Sequence, residues 1–454
     1  MNFVTLTYAL FLLVVVSGYW LIPLRWGKWW LLGASLVFYG SWNPIYVPGF
    51  VLLLTVNYWL GLASVRRPRM AVTLAVGLDL SVLGVFKYLD WVLGWAGMPW
   101  RWLTGQPLPW SPFGLVLPLA ISFVTFTMLA YVIDTSRGRP PERNWSTFAT
   151  FVMFFPHLIA GPIMRAREFL PQLHRPRPFM MSHLRLALPF LVSGLAKKVL
   201  GDDLAPFVQQ TFNHVGDTST VGLWLGVLAF AFQILLDFSG YTDLALGSAA
   251  LLGFHLPRNF DWPYRSGSLQ EFWRRWHMTL SRWLRDYVYI PLGGSRHGPA
   301  RTYAALMATM LLGGLWHGAG FTFIVWGAWH GAGLAVHRYW SRERGHHLGR
   351  VAGWLLTFVF VLVGWVFFRA ATMDDAMTYL SGMFLPRSGE VFVAAPAAVA
   401  LIAAVVAQWL PVTHWLRHAL PRGSARRQLA FGVVVAAAVL LMPPATPPFI
   451  YFQF

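Results

Sequence analysis

Two histidines lie where titratable side chains are uncommon, which makes them the first candidates for chemistry. His317 lies in GGLWHGAG (313–320), between two long apolar runs, and His277 lies in EFWRRWHMTLSRWLRDYVY (271–289), a segment rich in tryptophan and arginine. An ionisable residue inside the membrane is costly and is therefore a functional candidate. A neutral imidazole suits general-base catalysis near neutral pH. The alternative for both is an imidazole that only forms a structural hydrogen bond.

Other familiar catalytic signatures are missing from the sequence. The chain has no cysteine, which excludes a thiol nucleophile, a thiolate metal site and a disulfide. It also has no P-loop, no strand-associated G-x-G-x-x-G, no G-x-S-x-G elbow and no H-E-x-x-H motif. ATP hydrolysis, a serine hydrolase on the usual elbow and zincin chemistry therefore lose support, and no metal site is predicted.

Two further polar segments interrupt apolar surroundings. DFSGYTD (237–243) contains two carboxylates, which we interpret as structural partners of an arginine from 274–285; orienting a histidine or marking an ion pathway is the alternative. FPHLIAGPIMR (155–165) contains Pro156, Gly161 and Pro162, a combination typical of irregular backbone that lines a cavity. We expect His157 to be a hydrogen-bonding residue of that wall.

The elements that position these residues are membrane helices. Of the 454 residues 57% are hydrophobic and only 11% charged, and the mean hydropathy is +0.53; soluble domains carry about 25% charged residues. The sequence predicts an all-α polytopic membrane protein with about 11 to 12 transmembrane helices, plus re-entrant or interfacial helices. The first run, 3–22, is interpreted as a retained transmembrane helix because no cleavage site follows it. Further runs lie near 28–42, 48–65, 70–92, 113–133, 184–200, 221–239, 302–316, 319–337, 351–369, 392–411 and 428–442.

Charge distribution gives a topology. Lysine and arginine outnumber acidic residues 35 to 17, a net charge of +18, and the excess lies in short loops between apolar runs. This is the cytoplasmic-loop pattern of membrane proteins, so nucleic acid is not expected as a partner and the N-terminus is predicted outside. Lys197 and Lys198 depart from this pattern, because they lie at the predicted outer end of the run 184–200. The run 148–164 has basic residues at both ends and is predicted to be re-entrant.

The segment 271–287 is predicted to form one amphipathic helix that lies along an interface or against the helix bundle. At about 100° per residue its tryptophans share one sector and its charges the opposite one, with His277 at the edge of the apolar sector. We treat 1–454 as a single membrane domain, with N-terminal helices in 1–133, a motif-bearing core in 134–338 and C-terminal helices in 339–454.

Five segments follow one another in an order that is typical of a known family: FFPHLIAGPIMRAREFLPQL (154–173), SGYTDLALGSAALLGFHLPRNFDWPYRS (239–266), EFWRRWHMTLSRWLRDYVYIPLGGSR (271–296), GGLWHGAGFTFIVWGAWHG (313–331) and PFIYFQF (448–454). Together they resemble the membrane-bound O-acyltransferase (MBOAT) family, most closely its bacterial branch that acetylates exported polysaccharide. A single WHG motif would be a weak signal, whereas five segments in order are specific. His157 is a departure from the family pattern, since glutamine is expected there.

The resemblance implies a helical core with a tunnel that joins the two membrane faces. It implies that His317 is the catalytic histidine, with His277 as a second catalytic polar residue. Acetyl-CoA is the expected acyl donor from the cytoplasm, with no permanently bound cofactor. Arginines in 258–301 would attract its phosphates. The expected donor or tunnel contacts are Arg274, Arg275, Arg282, Trp276 and Trp316.

The implied function is O-acetylation of an exported polysaccharide such as alginate, with His317 as general base. The expected location is the bacterial inner membrane, among lipid, and the expected partner is the polysaccharide or a periplasmic acetyl-carrying or acetyltransferase protein. A covalent acyl-enzyme remains open. A polytopic transporter is the alternative from another class, and acylation of lipid or alanylation of teichoic acid are alternatives within the family.

Overall fold

The described part of the chain is mostly helical. The computed structural model describes residues 1–106, 112–159, 161–175, 178–346, 348–391 and 393–409. Within these ranges no strand forms, and the β-type pairing is limited to an isolated bridge between Thr218 and Glu390. The predicted all-α class is confirmed. The predicted helix near 428–442 and the segment 448–454 lie outside the described residues.

The chain divides into two compact units. The first contains Met1 and Leu13–Pro178, and the second contains Asn2–Leu12 and the chain from Phe179 onward. The helices whose residues lie wholly or mostly in the first unit are α1 (Leu6–Leu21), α2 (Leu24–Gly40), α3 (Tyr46–Ala63), α4 (Pro68–Thr104), α5 (Ile121–Ser136), α6 (Trp145–Met153), α7 (Phe155–Leu158) and α8 (Ala166–His174).

The first unit contains the broken helical segment that its prolines predict. α6 ends at Met153 and the four-residue α7 begins at Phe155, whose backbone N–H donates to the Ser35 hydroxyl at 3.1 Å. His157 is buried, and its Nε2 is 2.9 Å from the carbonyl oxygen of Phe151. His157 therefore forms a structural hydrogen bond within its own segment. The re-entrant path of 148–164 stays a prediction.

The second unit holds the helices that carry both candidate histidines. Short 3₁₀ turns lie at Val215–Asp217 and Pro263–Arg265, and π-helical turns at Arg285–Tyr289 and Tyr339–Glu343. Its helices are α9 (Met181–Asn213), α10 (Thr220–Leu251), α11 (Leu269–Arg275), α12 (Met278–Leu284), α13 (Pro299–His317), α14 (Phe321–Arg338), α15 (Arg350–Arg369), α16 (Met373–Phe384) and α17 (Ala395–Trp409).

Four helices in the described ranges are long and apolar enough to cross a membrane: α3, α4, α10 and α15. α1, α5 and α17 are apolar but shorter. α4 extends well beyond its predicted run, 70–92, and α9 beyond 184–200. The predicted total of 11 to 12 spans stays a prediction, because it includes residues outside the described part.

The longest pair of neighbours, α9 and α10, meets backbone to backbone. A Cβ added to Gly194 would lie 2.8 Å from the carbonyl oxygen of Gly240, and one added to Gly240 would lie 3.0 Å from that of Gly194. Only glycine permits this approach, which is the usual role of small residues between membrane helices.

Ion pairs link the same two helices. Lys198 lies 2.8 Å from Asp237, and Lys197 lies 2.7 Å from Asp243, which also accepts from the Ser193 hydroxyl at 2.8 Å. The structural interpretation of both aspartates is therefore confirmed, but the expected arginine partners from 274–285 are wrong. Lysines take the place of the expected arginines because α9 lies against α10 and presents Lys197 and Lys198 there. These ion pairs also explain why the two lysines lie outside the predicted cytoplasmic loops.

Replacement of Lys198 by methionine is expected to lower the free energy of unfolding by about 3 to 5 kcal/mol, because it leaves the buried Asp237 without its counter-charge. Lys197→Met is the matched control and should cost less, since the Lys197 side chain is 25% exposed against 2% for Lys198. Denaturant unfolding in detergent measures both. Equal stability of Lys198→Met and the unsubstituted protein would contradict the ion-pair assignment.

Candidate active site

His317 is the last residue of α13, at the tip of a helical hairpin with α14. The turn is Gly318–Ala319–Gly320, and the hairpin closes tightly because glycines face the partner helix. A Cβ on Gly314 would collide with the carbonyl of Phe323, and one on Gly327 would lie 2.5 Å from the carbonyl oxygen of Met310. The two apolar runs that flank His317 in the sequence form this hairpin, and its close contact fixes His317 relative to α14.

The imidazole of His317 lies in an aromatic shell. Its ring centroid is 4.9 Å from that of Trp316, 5.1 Å from that of Trp326 and 5.1 Å from that of Phe368, each with edge-to-face geometry. The side chain is buried. Such a shell excludes bulk water, so electrostatic interactions with a reacting group are stronger than in solution.

His277 lies at a sharp break rather than inside a helix. α11 ends at Arg275 and α12 begins at Met278, and His277 between them has φ 40° and ψ 55°, the left-handed region. The single amphipathic helix predicted over 271–287 is therefore wrong. The periodicity holds on each side of the break, but the backbone reverses its handedness at His277, a costly conformation that surrounding structure must support.

Asn259 supplies that support. Its Oδ1 accepts from the backbone N–H of Thr279 at 3.2 Å and from the Thr279 hydroxyl at 2.9 Å, and it lies 3.1 Å from Nδ1 of His277. Because the atom that accepts from a backbone N–H must be the oxygen, Nδ1 of His277 is the protonated nitrogen and Nε2 carries the lone pair. Burial lowers the pKa of His277 to about 3, so this imidazole is neutral.

Trp316 lies between the two histidines. Its ring centroid is 6.0 Å from that of His277 and 4.9 Å from that of His317. The structure thus brings together two histidines 40 positions apart in sequence. Trp276 instead packs among Phe272, Phe260 and Trp365, with ring centroids 5.6, 5.1 and 4.9 Å away. Its contacts are those of a packed aromatic residue beside the site.

Two of the three candidate arginines face a common cavity. Arg274 and Arg282 line a space of about 430 Å³ together with Trp273, Arg285 and Arg338. Arg275 does not line it. Its guanidinium pairs with Glu271 at 2.8 Å and donates to the carbonyl of Asp261 at 3.3 Å. The cavity combines fixed positive charge with an apolar wall, the composition that binds an anionic organic molecule.

Several residues of this region escape sequence reasoning. Trp326 lies between His317 and His330, and the His330 ring is fully buried 4.9 Å from that of Trp326. The repeated tripeptide Trp-His-Gly, at 316–318 and 329–331, is a signal that could have marked His330. Asn259 has no comparable local signal, because its role depends on tertiary contact.

The fold and the histidine site define a class of protein. The family described as MBOAT, membrane-bound O-acyltransferase, matches residues 143–373, a range that contains both histidines, Asn259 and the arginine-lined cavity. The chain belongs to this family. It is a multi-pass membrane O-acyltransferase.

Three of its relatives are bacterial proteins named for O-acetylation. A probable alginate O-acetylase of Azotobacter vinelandii is 42% identical over 83% of this chain and 76% of its own. A probable alginate O-acetylase of Pseudomonas putida is 36% identical over 98% of both chains. A peptidoglycan O-acetyltransferase of Helicobacter pylori is 37% identical over 78% of this chain and 73% of its own.

Replacing Asn259 by alanine is expected to lower the free energy of unfolding by about 1 to 3 kcal/mol, because buried donors of His277 and Thr279 lose their shared acceptor. Thr279→Val removes one of the three hydrogen bonds and should cost less. Thermal unfolding in detergent compares the two variants. If Asn259→Ala and the unsubstituted protein have the same melting temperature, Asn259 does not stabilise the left-handed backbone at His277.

Proposed function

We propose that the protein takes an acetyl group from cytoplasmic acetyl-CoA and passes it across the bacterial inner membrane for O-acetylation of an exported polysaccharide. The observation that carries the proposal is the His317 site: a buried imidazole at a hairpin tip, in an aromatic shell, with a second histidine beyond Trp316. Family membership favours transfer chemistry over the transporter alternative.

In this mechanism His317 is the general base. It removes the proton of the acceptor hydroxyl while the hydroxyl oxygen attacks the acetyl carbonyl, and a C–O bond forms as the carbonyl electrons move to oxygen. Collapse breaks the C–S bond, and His317 returns the proton to the departing thiolate. The absence of cysteine supports direct transfer over a cysteine-bound intermediate. The neutral His277, held in one tautomer by Asn259, orients reacting groups with its lone-pair nitrogen.

The arginine-lined cavity is the proposed entrance of the donor. Coenzyme A carries phosphates at one end and a thioester at the other, and Arg274, Arg282 and Arg338 provide charge for the phosphates. Trp273 lines this cavity, and its ring lies 5.8 Å from that of Trp326, which in turn contacts His317. A chain of contacts thus leads from the charged cavity to the base.

The acceptor side rests on the relatives. Alginate and peptidoglycan, named in them, are both hydroxyl-bearing glycans, and alginate or a similar exopolysaccharide is favoured because an alginate relative matches 98% of both chains. The acetyl group passes to the glycan directly or through a periplasmic carrier or transferase. Lipid acylation and teichoic-acid alanylation are the remaining alternatives within the family.

His317→Ala is expected to abolish acetylation of the exported polymer, because the hydroxyl proton then has no acceptor. His346→Ala is the matched control, since His346 is exposed in a loop, and it should retain normal acetylation. Ester content of the secreted polymer, normalised to membrane protein level, measures both. Unchanged acetylation in His317→Ala at normal protein level would overturn the proposal.

A further inference from the structure

The indole N–H of Trp326 has no hydrogen-bond partner among the described residues, although the side chain is only 1% exposed. Buried N–H groups are nearly always paired, so such a group needs an explanation. Three other tryptophans of the second unit obey the rule: Trp365 donates to the Tyr264 hydroxyl at 3.1 Å, Trp329 to the carbonyl of Phe360 at 3.0 Å and Trp354 to that of Tyr264 at 2.8 Å. Trp326 departs from this pattern, and it does so beside His317.

The position of this N–H is fixed by packing. Trp326 precedes Gly327, where α14 lies so close to the backbone of α13 that an added Cβ would be 2.5 Å from the carbonyl oxygen of Met310. Its ring is held edge-to-face against His317 at 5.1 Å, against Phe368 at 5.3 Å and against His330 at 4.9 Å. A rigid donor that lacks a partner in the resting protein costs no reorganisation when an acceptor arrives.

We propose that the Trp326 N–H binds the acyl oxygen of the thioester donor and stabilises the oxyanion that forms during transfer. The inference rests on the proposed function. As the acceptor oxygen bonds to the acyl carbon, its proton goes to His317 and the carbonyl electron pair moves to the acyl oxygen. The Trp326 N–H donates to that oxygen without giving up its proton, and the oxyanion collapses as the C–S bond breaks.

Trp273 and His330 are weaker candidates for this role. Nε1 of Trp273 and both ring nitrogens of His330 also have no partner within the described ranges. Trp273 lines the arginine-lined cavity, and each of the two is separated from His317 by Trp326 in the chain of ring contacts. Trp326 contacts the base directly, so its N–H is the one we assign to the reacting atom.

The test replaces Trp326 by phenylalanine, which keeps an aromatic ring and removes the N–H. The matched control is Trp365→Phe, which removes a paired N–H from a ring stacked 6.2 Å from Trp326. The full-length protein in lipid nanodiscs receives acetyl-CoA and de-acetylated alginate oligosaccharide, and released CoA is followed with a thiol reagent. Because the chain has no cysteine, all thiol signal comes from CoA.

Trp326→Phe is expected to lower kcat about 100-fold with the acetyl-CoA KM within about threefold, because the interaction strengthens in the transition state. Trp365→Phe should keep kcat within about threefold. If both folded variants have equal kcat, the inference is overturned while the proposed function stands. If the unsubstituted protein releases no CoA, direct transfer to the glycan fails, and this inference, which is tested through that transfer, fails with it.

A second measurement covers the case in which Trp326→Phe does not fold. The unsubstituted protein is titrated with two unreactive donors, a ketone analogue of acetyl-CoA that keeps the acyl oxygen and S-ethyl-CoA, which lacks it. A hydrogen bond to that oxygen predicts about two- to threefold tighter binding of the ketone, which is the ground-state part of an interaction that strengthens in the transition state. Equal affinities would overturn the assignment of Trp326.

Discussion

The close approach of α13 and α14 is the constraint on which the site depends. Gly314 and Gly327 let two backbones meet where any Cβ would collide with a carbonyl. That contact holds the His317 ring against Trp326 without a flexible spacer. A base that must accept a proton at one atom gains from such fixed placement, because misplacement by about an ångström costs about 100-fold in rate.

The second fixed element is the break at His277. A non-glycine residue in the left-handed region persists only when its surroundings over-determine it, and here Asn259 binds the residue on each side of the Met278 backbone. Trp316 then separates the two imidazoles by one ring. The backbone strain at His277 therefore lies next to Trp316 and the His317 site, which accords with the tendency of strained residues to cluster at functional sites.

Helices and the His317 hairpin were predictable because apolar runs and flanking glycines are local features. The break within 271–287 was not, since the charge and tryptophan pattern is equally compatible with one continuous helix. The sequence predicts arginine partners for Asp237 and Asp243, whereas Lys198 and Lys197 pair with them. The residue pattern does not specify which helix becomes a neighbour. Asn259 and Trp326 matter through tertiary contacts alone. The basic residues behind the net charge of +18 therefore lie in loops, in ion pairs between α9 and α10, and around the arginine-lined cavity.

The central claim is that one histidine site joins a donor on one membrane face to an acceptor on the other. Proteoliposomes with radiolabelled acetyl-CoA outside and de-acetylated alginate oligosaccharide enclosed test it most directly. The account predicts ester label inside and an equal amount of free CoA outside, both lost in His317→Ala. Labelled acetyl-CoA or acetate inside without ester, or ester formed only when donor and acceptor share one compartment, would contradict it.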